Sequence, residues 1–257
     1  MNISIIGSGN MAWHLAHKLK QSGNKILQIT GRNEQTAIAL AEEVNAVPNF
    51  LLQNIDVESE LILFCVKDDA IQEIAVSGFK TEAIVAHTSG FRSKNLLENC
   101  SPNFGIFYPL QTMKKGMEIP FENIPFLVEG SNDTTTQALQ NLALELSKNV
   151  HQVSELQRQY IHVAAVFANN FTNHLYELAE NLLSEHHSSL DILRPLLAQS
   201  AQNVQHTSPA KLQTGPAARK DMFTIEEHLK LLSSHEELTK IYSILTESIL
   251  RSREIQE

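Results

Sequence analysis

Only two of the 257 residues are cysteine, Cys65 and Cys100, and neither stands in a CxxC or metal-spaced cluster. A disulfide framework and a cysteine-based zinc site are therefore excluded, and a reduced, cytoplasmic compartment is the plain expectation. Long apolar runs are missing as well. The longest in the first half spans residues 61–66, far short of the roughly 20 residues that cross a bilayer. The N-terminal segment has no basic stretch followed by an apolar core and a small-residue cleavage site, so neither a membrane nor secretion is expected. Basic charge is scarce: 20 Lys and Arg stand against 29 Asp and Glu, a net charge of −9. Residues 1–150 hold 11 basic and 16 acidic side chains, leaving 9 and 13 for residues 151–257. No stripe exists to neutralise a phosphate backbone, so nucleic acid is not an expected partner.

Glycine is scarce in one half only. Nine of the ten glycines precede residue 131 and Gly215 is the exception, whereas eight of eleven histidines lie at or after His151. This imbalance, on a length that admits two domains, predicts a turn-rich first part and a helical second part. The division is expected at 1–153 and 154–257.

What is present begins at once. Residues 2–6, NISII, are short, β-branched and apolar, and stop at Gly7-Ser8-Gly9-Asn10-Met11-Ala12, after which a helical pattern runs to Lys20 and halts at Gly23. Strand, G-x-G-x-x-A and helix form a dinucleotide fingerprint. Gly7 permits the tight turn, Gly9 admits backbone to a pyrophosphate, Ala12 lets helix and strand pack closely, and the helix N-terminus offers N–H groups to the phosphates. Strands follow at 25–30, 61–66 and 83–87 and a helix at 34–45, so the fold expected is a doubly wound parallel α/β sheet. An NAD site calls for an acid at the end of the second strand. Here the sequence reads Thr30-Gly31-Arg32-Asn33. Arg32 suits adenine stacking and a 2′-phosphate, with Asn33 adding a hydrogen bond, and NADP is the expected cofactor. The plainer alternative is a surface arginine opening a helix.

Ligands of open parallel sheets lie beyond the strands' carboxyl ends. Those ends place Val66 and Lys67 beside the ribose and nicotinamide, and His87, Thr88 and Ser89 at the same rim, unless the hydroxyls merely turn the chain. Residues 104–113 open as a strand that Pro109 should keep from a central place. Phe104 and Phe107 are expected in the core and Tyr108 or Gln111 against a substrate. A further strand is expected at 125–130, a helix at 133–147 and a short strand at 149–153.

Ser154-x-x-Gln157 reads as a capping box whose helix can run to about residue 185. Between Tyr160 and Phe171 it is apolar nearly all round, as for burial in a domain core or a subunit interface. His162, Asn169 and Asn173 nevertheless fall within about 20° of one line on the helical wheel. Such a stripe is either an internal network or one wall of a site. Another helix is expected at 191–202, and Thr224-x-x-Glu227 is expected to cap one more. Arg219, in QTGPAARKD, could clamp a carboxylate or phosphate, or be an exposed charge.

The segments GSGNMA, HTSG, FGIFYPLQT, HVAAVFANNFTNH and QTGPAARKD together resemble a bacterial family of Rossmann-like proteins with a helical C-terminal domain of unknown function, whose members are described as NADP oxidoreductases. More distantly the chain is similar to pyrroline-5-carboxylate reductases, ketopantoate reductases and β-hydroxyacid dehydrogenases. The resemblance implies an all-α C-terminal domain that closes over the nicotinamide and helps form a homodimer. The β-hydroxyacid dehydrogenases carry a K-x-x-N lysine on the long helix. Three residues before Asn169 and Asn170 stand Val166 and Phe167, so that lysine is missing and His162 or His87 is the expected proton donor. The expected activity is NADPH-dependent reduction of a small, anionic carbonyl or imine compound. Asn169 and Tyr108 would orient it, and Ser89, Gln111, Asn173 and Arg219 would contact it. A dinucleotide-binding sensor or assembly protein without turnover is the alternative that the missing lysine favours. Reduction of a deazaflavin coenzyme is a third, carried by similarity of the first domain alone.

Overall fold

The computed structural model describes residues 1–254, in two compact units, Met1–Val166 and Phe167–Glu257. The first is built on strands β1 (Asn2–Ile6), β2 (Lys25–Thr30), β3 (Val47–Asn49), β4 (Leu61–Phe64), β5 (Ile84–His87), β6 (Phe104–Pro109), β7 (Phe126–Gly130) and β8 (Val150–Gln152), and on helices α1 (Asn10–Gln21), α2 (Glu34–Val44), α3 (Asp68–Ala75), α4 (Asp133–Leu146) and α5 (Glu155–Ala165). The eight strands form one sheet in the order β3-β2-β1-β4-β5-β6-β7-β8. Every neighbouring pair is parallel except β6 and β7. The order reverses at β1, which places a crevice beyond the carboxyl ends of β1 and β4.

Strand residues feed two separate cores by their alternation. Ile3, Ile5, Leu61 and Leu63 face Leu15 of α1, Leu40 of α2 and Leu142 of α4. Ile6, Ile62 and Phe64 face Ile71 and Ala75 of α3. Buried on both sides, these strands read as unbroken apolar runs. A third cluster joins Ile106, Tyr108 and Leu127 to Val153 and Ile161. Through it, and through the fully buried Arg158, α5 packs against β6 and β7. Ser154 caps α5 with the expected reciprocal box to Gln157.

Two expectations need correction here. β6 lies inside the sheet between β5 and β7. Pro109 is its last residue, and the N–H of Leu110 resumes bonding to the Pro125 carbonyl, so the donor that proline lacks is needed least there. β3, three residues containing Pro48, is an edge strand that the sequence reading did not foresee.

A π-helical turn, Val166–Phe171, spans the boundary, and the second unit continues as α6 (Thr172–Glu185), α7 (Arg194–Asn203), α8 (Pro209–Leu212), α9 (Met222–Leu231) and α10 (Glu236–Glu254). The expected cap at Thr224 is instead Asp221, whose carboxylate accepts the Thr224 N–H at 3.1 Å and the Thr224 hydroxyl at 2.8 Å; those bonds hold its pKa below the usual carboxylate range. Among this unit's described residues only Ala217 and Ile225 are buried. Phe167, Phe171, Ile192, Leu196, Phe223, Leu231 and Ile244 are all at least half exposed. Burial of the 160–171 stretch in a domain core is therefore not observed: Tyr160 and Phe167 are 70% and 66% exposed.

Candidate active site

The glycine turn forms as its sequence requires. Gly7 adopts φ +120°, and a Cβ on it would stand 2.2 Å from the Cys65 carbonyl oxygen, so backbone passes where no other residue fits. Gly9 is the N-cap of α1 and makes no side-chain cap bond, whereas Asn33, Asn132 and Ser154 each cap their helices. The first-turn N–H groups of α1 are thus available to a phosphate. Nothing lies within 4 Å of a Cβ built on Gly9.

A cavity of about 650 Å³ opens at this turn. Gly7, Ser8 and Gly9 line it with Arg32 and Asn33 at the end of β2, Val66 and Lys67 after β4, and Leu52 and Ile74 from the opposite wall. Room for a phosphate at a glycine turn and an apolar wall for an adenine fit a dinucleotide. Of the expected cofactor contacts, Gly7, Gly9, Arg32, Asn33, Val66 and Lys67 come together here. Ala12 is fully buried in the core, consistent with its packing role, and half-buried Met11 packs against that core. The Asn10 side-chain oxygen accepts the Lys115 N–H at 3.1 Å. Asn33 is committed as well: its side-chain oxygen accepts the Thr36 N–H at 3.1 Å, so it serves first as the α2 cap. Arg32 meets Glu73 of α3, Nη1 to Oε2, at 3.6 Å.

A second group gathers where β5 and β6 end. Tyr108 Oη lies 3.1 Å from His162 Nδ1, the rings edge-on at 6.0 Å. Both close on Gly90, where a Cβ would stand 2.5 Å from His162 Nδ1 and 2.7 Å from Tyr108 Cζ. Glycine is what lets phenol and imidazole meet. Burial pushes the Tyr108 pKa up, with the Arg158 guanidinium opposing that rise and Asp68 adding to it.

His87 does not join them as a proton donor. It is wholly buried, Nδ1 accepting the Ser89 N–H at 3.2 Å and Nε2 donating to the Ser93 carbonyl at 3.2 Å. Burial pulls its pKa down to about 4, outweighing the bond to Ser93, and Arg158 lowers it further. A neutral imidazole with both nitrogens engaged holds the 87–93 turn and has no proton to give. Ser89 is likewise a turn residue rather than a substrate contact: buried, its hydroxyl accepts the N–H groups of Phe91 and Arg92 at 3.2 and 3.0 Å. Thr88 reaches back to the Phe64 carbonyl at 3.4 Å. Gln111 is exposed and its side-chain oxygen accepts the Thr112 N–H.

The sequence reading missed Arg158. Its guanidinium donates to the Ser89 carbonyl at 3.3 Å and lies 3.7 Å from Glu129, within ion-pair range but beyond hydrogen-bond reach. Its Nε and Nη2 and the Glu129 Oε2 make no hydrogen bond. Lys94 holds the other Glu129 oxygen. The signal was available. Arg158 precedes His162 by four residues, within about 40° on the helix surface, and extends the polar stripe one turn back.

In the second unit, Asn169 lies in the π-helical turn and Asn173 in α6, both exposed. Arg219 ends a 3-10 turn, 64% exposed and 3.9 Å from the Asp221 carboxylate. Among the described residues no three His, Cys, Asp or Glu side chains are grouped to hold a metal, and no helix is long and apolar enough to cross a membrane.

Residues 2–89 match the model of the coenzyme F420-dependent NADP oxidoreductase family, and residues 124–249 match a domain of unknown function, DUF2520. No curated protein matches the sequence. Among solved structures, a Bacteroides fragilis protein provisionally named an NADP oxidoreductase is 36% identical, with a TM-score of 0.91 over 97% of this chain and 98% of that one. The 1-pyrroline-5-carboxylate reductase of Streptococcus pyogenes is 16% identical, with a TM-score of 0.65 over 98% of each chain. A reductive aminase from Aspergillus terreus, solved with NADPH and ethyl levulinate, is 15% identical, with a TM-score of 0.71 over 98% of this chain and 94% of that one. The last two show a shared fold.

Proposed function

We propose, for a chain that belongs to the same family as the Bacteroides fragilis protein and joins an NADP-oxidoreductase-type Rossmann domain to DUF2520, an NADPH-dependent reduction of a small carbonyl or imine compound. The observation that carries this is a cavity of dinucleotide size at the glycine turn, together with a Tyr108–His162 pair at 3.1 Å that closes on Gly90 after β5. NADPH supplies the hydride. Gly7, Gly9 and the α1 N-terminus hold its phosphates, Arg32 its adenosine end, and Val66 and Lys67 border the ribose. Tyr108, donating to His162 Nδ1, fixes the tautomer that leaves Nε2–H to protonate the reduced oxygen or nitrogen. His87 and Arg158 shape the turn on which the pair rests.

Calorimetric titration with NADPH and NADH tests the cofactor half; binding of neither at millimolar concentration refutes it. NADPH oxidation across a panel of oxo acids and cyclic imines tests the chemistry. His162→Ala and Tyr108→Phe should each lower turnover of the best substrate by roughly 10²-fold or more. Wild-type rates in both variants would refute the assignment.

The second unit, with two buried side chains among its described residues and a succession of exposed Phe, Leu and Ile side chains, is proposed to pair with a second copy. An apolar surface of that extent is stable in water only when covered. Sedimentation should give twice the mass of the chain, and a monomer at micromolar concentration would refute the pairing.

A further inference from the structure

We propose that Glu73 sets the cofactor preference by competing with the 2′-phosphate of NADPH for Arg32; this rests on the cofactor reading above. Among the described lining residues of the cavity the basic ones are Arg32 and Lys67, and the single acidic one is Glu73. Glu73 comes from α3, across the cavity from the β2–α2 turn, and its carboxylate meets the Arg32 guanidinium at 3.6 Å. The neighbouring polar groups are engaged elsewhere: Asn33 caps α2, and Ser8 and Thr36 bond each other at 2.7 Å. Arg32 is thus the strongest anion receptor of the adenosine end, and a carboxylate already stands against it.

The pair is displaceable. Its side chains are 85% and 67% exposed, and such surface pairs contribute little stability. A 2′-phosphate brings close to two negative charges and takes a guanidinium by two parallel bonds. It must either push the Glu73 carboxylate away or share the guanidinium with a like charge. A 2′-hydroxyl is neutral and meets neither obstacle. Glu73 therefore weakens NADPH selectively and narrows its advantage over NADH. Repulsion between a carboxylate and a phosphate about 6 Å apart in a near-aqueous dielectric amounts to roughly a 3–10-fold change in affinity at low ionic strength, shrinking as salt screens it.

The test is a fluorescence titration of NADPH and NADH against wild type, Glu73→Gln, Arg32→Ala and the double variant, at low salt and at about 0.5 M salt. Glu73→Gln keeps the size of an exposed side chain, and its melting curve should match wild type. The expected result is NADPH binding ~3–10-fold tighter in Glu73→Gln at low salt, NADH unchanged within about twofold, the gain lost at high salt, and a smaller gain in the Arg32→Ala background, where no guanidinium draws the phosphate toward the carboxylate. An unchanged NADPH-to-NADH ratio in Glu73→Gln, or weaker NADPH binding, overturns the role of Glu73 while a wild type that binds NADPH leaves the cofactor reading standing. A wild type that binds neither dinucleotide overturns both.

Discussion

Acidification should cost this fold a defined amount of stability through one residue. His87 is wholly buried and its pKa is held down to about 4 against an ordinary value of 6.5. The unfolded chain therefore binds a proton that the folded chain refuses between those two values. Because the unfolded state carries more protons there, stability falls as pH falls. The contribution of a neutral His87 is fully present above pH 6.5, declines from there, and is exhausted near pH 4. A separation of about 2.5 units at 1.36 kcal/mol each gives roughly 3 kcal/mol in total, of which about 2 kcal/mol is lost between pH 7 and pH 5. Urea unfolding of wild type and His87→Gln at pH 7 and pH 5 isolates this from the other histidines. Glutamine can accept the Ser89 N–H and donate to the Ser93 carbonyl without titrating. The variant should be less stable at pH 7, and its loss on going to pH 5 should be smaller than that of wild type by about 2 kcal/mol. Equal losses in the two proteins would mean that His87 is protonated in the fold, and would refute both its burial as a neutral ring and its exclusion as the proton donor.

Other outcomes follow from the same geometry. Gly7→Ala forces a methyl against the Cys65 carbonyl at a positive φ, so thermal unfolding should show a loss of about 3 kcal/mol or more, accompanied by loss of NADPH binding. Gly90→Ala drives a methyl between Tyr108 and His162; it should destabilise by roughly 1–3 kcal/mol and leave NADPH affinity intact, with the imidazole ¹⁵N shift of His162 reporting the broken contact. Arg158→Ala removes a fully buried cation and leaves Glu129 with Lys94 alone, for an expected cost of about 3–5 kcal/mol in urea. Arg158→Met keeps the packing and should raise the Tyr108 pKa, since the guanidinium opposes that rise; ultraviolet titration against a Tyr108→Phe baseline reads the change.

The sheet was legible because it is buried on both faces. An interior parallel strand has to be apolar throughout and must end where backbone turns toward a ligand, so residues 2–6, 25–30 and 84–87 announce themselves by composition and by Gly7, Gly31 and Gly90. β3 escaped because a three-residue edge strand containing Pro48 has almost no composition to read. Thr224 was mistaken for a cap because Thr-x-x-Glu is a capping pattern wherever it occurs, and only the position of Asp221 three residues earlier decides which oxygen reaches the N–H. Residues 160–171 read as buried because a helix that is apolar nearly all round is expected to be covered. In a single chain Tyr160, Phe167 and Phe171 stand in solvent.

For the site, sequence reasoning singled out polar residues at the strand ends and did not separate out those that must be polar to hold a turn. His87, Thr88 and Ser89 sit where catalytic residues of an open sheet belong, yet their polar atoms are consumed by the backbone of residues 64 and 87–93. Histidine identity alone cannot separate the two roles, because burial under a turn is not written in the residue type. His87 lies under the turn and is forced neutral. His162 comes from a helix laid over it and meets a phenol. Arg158 is the complement of that argument. A cation buried one turn before His162, with two of its nitrogens unbonded, is costly to keep. It faces the Ser89 carbonyl, Tyr108 and His87 together, which is the position from which one charge can fix the turn and lower two pKa values at once. The stripe on α5 thus has two parts, a buried cation that holds the turn and a histidine that meets Tyr108, and only burial distinguishes them.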